Sequence, residues 1–392
     1  MQADSAKRRR RSSLQSRSRN VAFAQFIAFS WFVYAYNPSV VLLRYERQLD
    51  YAVAGIQTVL FSLGVVAGSA AYPRLLRSAG IYRTGLAAAA ALGVGVVLFA
   101  ADADMLVVSL GSFLAGIGAA AVIAAASSSL ADAGSVEGMA RLSLANAAGS
   151  LASMLALLTV SASVAANLGW RLPLVAIVPA LIALQIWDRH RRTLPLSVPG
   201  VGPSQRMPKT YRLTVLAVTL LVAAEMCFGL WGPDLVASLT GAAAAERTAA
   251  LAALFAGSAV GRLIAAKAIR LFRADSLFRA SNAIALASFG ILWTSTDSGI
   301  VLLSLFLLGA TLSFNLPFGQ ARAVLASGGR ADQASAGVFF ALGLAGLSVP
   351  FILAVLADSI GIRDAFLVVP LLLISGFLTM RRATQRLDQV AS

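Results

Sequence analysis

Residues 213–237 read LTVLAVTLLVAAEMCFGLWGPDLVA. The run is mostly apolar, and Glu225 is the one acid near its centre. A segment that crosses a bilayer as a helix needs about 20 mostly apolar residues. Comparable runs occur at 21–43, 53–72, 82–100, 105–130, 142–167, 172–188, 248–271, 280–296, 299–321, 334–357 and 364–380. The predicted fold is therefore all-α and integral to a membrane, with twelve transmembrane helices. The chain is 58% hydrophobic and 12% charged, half the roughly 25% charge of a soluble protein. Strands of a membrane barrel would alternate in polarity over about ten residues. These runs are continuous in Ala, Leu, Val and Gly, which favours helices over that architecture.

The distribution of positive charge orients the spans. With the N-terminus in the cytoplasm, 27 of the 32 Lys and Arg residues fall in cytoplasmic connections or tails. The other five, Arg44, Arg47, Arg171, Arg247 and Arg363, fall outside. That bias is what the positive-inside rule describes. It places both termini in the cytoplasm of a multi-pass protein of the cytoplasmic (inner) membrane. The net charge of +15 is then a topology signal rather than a nucleic-acid footprint, and no nucleic-acid partner is expected. The same rule accounts for the basic cluster in residues 1–20, a segment expected to be a disordered cytoplasmic tail. An anionic-lipid or nucleic-acid contact is the alternative reading of that cluster. Arg outnumbers Lys 29 to 3, a composition typical of GC-rich bacterial genomes.

Several function classes lack their residues. One His and one Cys (His190, Cys227) cannot form a usual zinc site or an intrachain disulfide. No Walker or Rossmann fingerprint is present, nor any Ser/His/Asp constellation. No connection is long enough for a nucleotide-binding domain. No enzyme activity, metal or cofactor is expected.

The Pro-rich basic segment 189–212 divides the chain into 21–188 and 213–380, followed by a tail at 381–392. The halves resemble each other. AGSA occurs at 67–70 and at 256–259, an offset of 189. GWRLPLVAIVPALI at 169–182 matches GIRDAFLVVPLLLI at 361–374, an offset near 192. Six spans separate the copies, so the repeats are parallel, related by an axis along the membrane normal.

Six plus six spans, a basic central loop and parallel halves resemble the major facilitator superfamily. The resemblance covers about residues 20–385. The family's signature loop after span 2 corresponds to GSAAYPRLLRSAGIYRTG at 68–85, which keeps the glycine and the basic residues Arg74 and Arg77 but not the acid. The counterpart after span 8, GSAVGRLIAAKAIRLFR at 257–273, keeps Gly257, Gly261 and Arg262. Span 5, ANAAGSLASML, lacks the Gly-Pro of the family's drug–proton antiporters. No subfamily is assigned.

The resemblance implies a central cavity lined by spans 1, 4, 7 and 10. Polar or aromatic residues at three- and four-residue steps in those spans are the substrate candidates: Trp31, Tyr34 and Asn37; Ser112; Phe228 and Trp231; Thr311, Asn315 and Phe318. Each has a plainer reading. Trp and Tyr anchor at interfaces, and Ser bonds back to the preceding turn. Asn315 can bridge two helices instead of facing a cavity. Arg322 and the loop arginines Arg74, Arg77 and Arg262 are either gate residues or part of the inside charge. Gly64 with Gly68, Gly257 with Gly261, and Gly149 mark faces where backbones approach closely, as static packing or as a sliding seam. Pro317 and Pro350 are expected to kink their helices.

Glu225 has three readings. A charge in mid-bilayer costs about 2.5–3.5 kcal/mol on insertion scales, and no Lys or His lies at its depth. Burial favours the protonated form. A carboxyl group that protonates on one side and ionises on the other suits proton coupling. A permanently protonated acid bonded to a neighbouring helix, and a counter-charge for a cationic substrate, are the others. The function expected is a secondary active transporter that moves a small solute by alternating access, proton-coupled, with a lean to export. A passive uniporter and a transporter-like sensor are the alternatives. The expected surroundings are a lipid bilayer and a small-molecule substrate, with no obligate protein partner.

Overall fold

The computed structural model describes residues 2–130, 136–187, 207–268, 271–328 and 331–391. Most of the expected linker, up to residue 206, lies outside them. Fourteen helices follow in order: α1 Gln2–Arg47, α2 Tyr51–Ala100, α3 Met105–Leu130, α4 Val136–Ala165, α5 Arg171–Val175, α6 Ile177–Trp187, α7 Lys209–Thr240, α8 Ala244–Ala268, α9 Ala274–Thr294, α10 Ser298–Leu312, α11 Asn315–Ala326, α12 Ala331–Ile360, α13 Ile362–Ala365 and α14 Val368–Ala391. Among the described residues there is no strand. Among the described residues, eleven helical stretches are long and apolar enough to cross a membrane, and the sixth expected span, Arg171–Trp187, is a shorter apolar helix. Leu263, Ile182, Leu303 and Leu371 are each more than half exposed. Apolar side chains left outward in this number suit a lipid solvent, where the backbone bonds within each helix.

The helices differ from the expected spans in several places. Helix α1 begins at Gln2, where the composition predicts a disordered tail; Ala, Lys, Arg, Gln and Leu favour helix, and extending an existing one needs no new nucleus. Spans 2 and 3 share α2, which is broken at Gly80, with φ 76° and ψ 166°, a conformation glycine adopts at little cost. Span 10 is interrupted between Leu312 and Asn315, just before Pro317, which has no N–H to donate back to Ser313. Pro350 lies inside α12 without ending it, and its carbonyl accepts from Trp231 Nε1 at 2.8 Å.

The chain forms two compact units: residues 1–36, 60–156 and 169–200, and residues 37–59, 157–168 and 201–392. Within the first, α2 and α3 approach backbone to backbone. A Cβ on Gly64 would overlap the Phe113 carbonyl oxygen, one on Gly68 would meet that of Ile117, and one on Gly116 would meet that of Phe61. Within the second, Gly257 meets Phe306, Gly261 meets Ala310 and Gly309 meets Leu254 in the same way. All six positions of the first set map onto the second with a shift of 193. The same helix pair is therefore built twice with the same contacts.

That shift corrects one sequence match. Gly68 corresponds to Gly261, so the two AGSA segments are displaced by one helical turn. The other match holds in three dimensions. Gly169 and Gly361 both have positive φ, +78° and +85°. Two residues later, Arg171 Nε donates to the Ala100 carbonyl at 3.0 Å and Arg363 Nη2 to that of Trp293 at 2.9 Å. Each guanidinium thus meets the negative end of a helix, α2 or α9, and lies over a tryptophan ring, Trp170 or Trp293.

The glycine contacts make a direct prediction. Gly257→Ala is expected to lower stability by about 1–3 kcal/mol, because the helices must separate to admit the methyl group. Gly290, in α9, has nothing within 4 Å of a built Cβ, so Gly290→Ala is expected to be neutral or stabilising by up to about 1 kcal/mol. Thermal unfolding in detergent compares the two. Equal midpoints for Gly257→Ala and the parent protein would refute the close approach.

Candidate functional site

Helix α7 carries the acid that the sequence singles out. It starts after Pro208, which sets an extended residue before Lys209, and ends at Gly241 in the left-handed conformation. Glu225 is partly exposed. No hydrogen bond or ion pair holds it among the described residues. Gly229 lies one turn further on, on the same face, and a Cβ there would sit 3.9 Å from Asn37 Nδ2. The structure thus brings Asn37 towards the Glu225 face, as the sequence places both among the candidates.

Arg262 acts electrostatically on Glu225. The sequence reading counts Arg262 with the cytoplasmic loop, but it lies within the span Ala244–Ala265. Helices α7 and α8 run in opposite directions from the turn at 241–243. Counting back from that turn brings Arg262 close to the depth of Glu225, and its long side chain covers the remainder. The acid therefore has a cation near its depth on the neighbouring helix, which a search for Lys and His alone overlooks.

The other candidates divide into packed and open positions. In the first unit, Trp31 Nε1 donates to the Pro173 carbonyl at 3.2 Å, and Ser112 accepts from Tyr36 Oη at 3.0 Å. Ser112 is fully buried, with Tyr36 set among Phe32, Phe61 and Phe99. Trp31 and Tyr34 are partly exposed. In the second unit, Phe228 and Trp231 are fully buried. Phe228 packs on Phe289 and Phe366, and Trp231 meets the edge of Tyr51. Both side chains serve packing here, so their helical spacing reflects the core of α7.

Thr311 bonds back to Leu307. Asn315 takes the helix-bridging role, accepting from Asn282 Nδ2 of α9 at 3.0 Å. The pair leaves Asn315 Nδ2 and Asn282 Oδ1 buried without partners. Phe318 stacks on Phe278 at 4.4 Å. Arg322 forms an ion pair with Asp275 of α9. Arg74 and Arg77 are exposed. Gly149 receives the Ser30 hydroxyl of α1, which a Cβ would meet at 2.6 Å.

The most buried charges are ones the sequence reading passes over. Asp234, near the end of α7, is 1% exposed. Its Oδ2 accepts from Arg44 Nη2 of α1 at 3.3 Å, and its Oδ1 lies 3.8 Å from Arg247 Nη1 of α8. Arg44 also covers the Tyr51 ring at 3.8 Å, and Arg247 the Tyr45 ring at 3.8 Å. Beside this cluster, the Asp358 carboxylate of α12 accepts from the Tyr51 and Ala52 N–H groups at 2.8 Å each, capping the start of α2. Ser161 Oγ of α4 donates to the Ala245 carbonyl at 2.8 Å. Arg44, Arg171, Arg247 and Arg363 are four of the five exceptions to the inside charge bias, and each has a fixed anionic or carbonyl partner. A positive charge on the wrong side of the rule was the signal available for this cluster.

No protein-family model matches the chain, and no curated protein matches it in sequence. Solved structures do match. A bacterial homolog of the human lysosomal transporter Spinster, in an inward-facing and occupied conformation, aligns with a TM-score of 0.75 at 12% identity, over 96% of this chain and 97% of that one. The nucleoside transporter NupG (D323A mutant) aligns with a TM-score of 0.72 at 13% identity, over 95% and 99%. FucP, a major facilitator superfamily transporter in the outward conformation, aligns with a TM-score of 0.64 at 17% identity, over 93% and 98%. Near-complete coverage of both chains at 12–17% identity rests on helix order and packing rather than on shared sequence: the chain has the major facilitator fold.

Proposed function

We propose that the protein is a secondary active transporter that moves a small solute across the cytoplasmic membrane by alternating access, coupled to protons, in the direction of export. The observation that carries the reading is Glu225. A carboxyl group in mid-span, partly exposed, without a hydrogen bond or ion pair among the described residues and with Arg262 on the neighbouring helix, is costly unless it is used. The neighbours named above are transporters, which supports transport over enzyme chemistry. Both termini are cytoplasmic in this reading, the two six-helix halves are 21–188 and 213–380, and the protein acts as a monomer in the bilayer. The cavity candidates that stay partly exposed are Trp31, Tyr34 and Asn37.

The test begins with a screen for solutes that raise the unfolding temperature of detergent-purified protein, since a ligand that binds the folded state stabilises it. Each hit is then followed in proteoliposomes by counterflow. Exchange of at least one hit is the expected result. A solute that stabilises the protein but never crosses the bilayer would overturn transport in favour of a sensor. Cysteines placed at Asp102 and Glu246 are expected to react with an impermeant reagent in intact cells, which checks the orientation.

A further inference from the structure

Each unit opens a cleft between two of its helices. In the first it lies between residues 82–98 of α2 and residues 178–186 of α6, and has a volume of about 480 Å³. Its wall is apolar, with Leu86, Val94, Val178 and Ile182, and it contains no charged side chain. In the second it lies between the start of α9 and the later part of α14, with a volume of about 340 Å³. Tyr82 and Leu86 of the first cleft correspond, by the shift of 193, to Asp275 and Arg279 of the second. At these two matched positions the first cleft carries no charge and the second carries an acid and an arginine.

The second cleft is graded along its length. Phe377, Arg381 and Gln385 follow one another at one-turn steps on α14, so they share a face. Phe278 and Phe377 stack at its apolar end, 5.7 Å apart and 14° from parallel, next to Met380. Arg279 and Arg381 come next, with Thr384 beyond. The one acid in the lining, Asp275, is already paired with Arg322. Arg279 donates to Ser276 Oγ at 3.4 Å. Among the described residues Arg279 has no ion pair, and Arg381 has neither an ion pair nor a hydrogen bond. The cleft therefore presents two guanidinium groups that no described carboxylate pairs with.

The surroundings say what kind of anion fits. On α9, Ile284 and Ile291 are exposed, as are Leu371, Ile374 and Leu378 on α14. A cleft flanked by outward apolar faces opens to hydrocarbon. A ligand that enters it sideways has an acyl chain, and two arginines at the polar end match a phosphate oxygen pair. Basic pockets between transmembrane helices hold lipid headgroups in this way. We propose that the cleft between the start of α9 and the end of α14 binds an anionic phospholipid, with Arg279 and Arg381 on the phosphate and Phe278, Phe377 and Met380 against the first acyl carbons.

The test is thermal unfolding of the purified full-length protein in a neutral detergent, with phosphatidylglycerol or phosphatidylcholine added in equal amount. Phosphatidylglycerol is expected to raise the midpoint and phosphatidylcholine to leave it within error. The Arg279→Gln/Arg381→Gln double variant is expected to lose that difference. Arg382→Gln, which changes an exposed arginine outside the cleft, is expected to keep it. Equal shifts with both lipids, or a difference that survives the double substitution, overturn the proposal. An equal shift with inorganic phosphate would identify a soluble anion as the ligand and overturn the lipid. If the double variant does not fold, native mass spectrometry of the parent in an equimolar mixture of the two lipids decides the matter: preferential retention of phosphatidylglycerol supports the site, and equal retention overturns it.

Discussion

Asp234→Ala is expected to destabilise the folded protein by about 3–5 kcal/mol, the range for removing one partner of a buried ion pair. The substitution leaves Arg44 and Arg247 facing each other around the place of a carboxylate that is 1% exposed in the parent. Like charges at that depth are opposed by no solvent, and the Tyr45 and Tyr51 rings offset only part of the loss. Arg44→Gln is expected to cost less, because Asp234 keeps Arg247 at 3.8 Å. Thermal unfolding of the two variants beside the parent gives the order. If Arg44→Gln costs as much as Asp234→Ala, Arg247 is not acting as a second partner and the cluster is a simple pair.

Glu225→Gln is expected to abolish solute accumulation driven by a pH gradient, while exchange at equal pH continues. The amide keeps the shape of the side chain and much of its hydrogen-bonding capacity, and it removes the titratable proton. Proteoliposomes loaded with a solute identified by counterflow provide both measurements in one preparation. Gradient-driven accumulation equal to that of the parent would remove the coupling role. Loss of counterflow as well would move Glu225 into cationic-substrate binding. Glu225 is partly exposed and has no hydrogen bond among the described residues, and the two measurements separate its three readings.

The fold was legible because its causes are local. Runs of about 20 apolar residues, a helical backbone that satisfies its own polar groups, and small residues four apart are all written along the chain. The repeat was legible in part. The match from Gly169 and Gly361 was in register because a positive-φ glycine followed by an arginine that meets a helix end is a rare combination. The AGSA match slipped by one turn because helices rich in Gly and Ala resemble themselves every four residues. Only the contacts of Gly64, Gly68 and Gly116, each against a carbonyl of the neighbouring helix, settle the register at 193.

The site divides in the same way. The sequence by itself singles out Glu225, because an acid surrounded by apolar residues is anomalous whatever its neighbours are. It also places Asn315 and Phe318 on a polar helix face, but whether such a face meets a cavity or another helix depends on where α9 lies, and Asn282 decides that. Asp234 is a few residues from the end of its helix, where an acid raises no alarm. Its importance depends on Arg44, 190 residues away, and on Arg247 across a tight turn. Burial and pairing are properties of where helix ends meet. A linear pattern specifies which residues can be inside a membrane, and the packing of helices distant in sequence determines which charges there have partners.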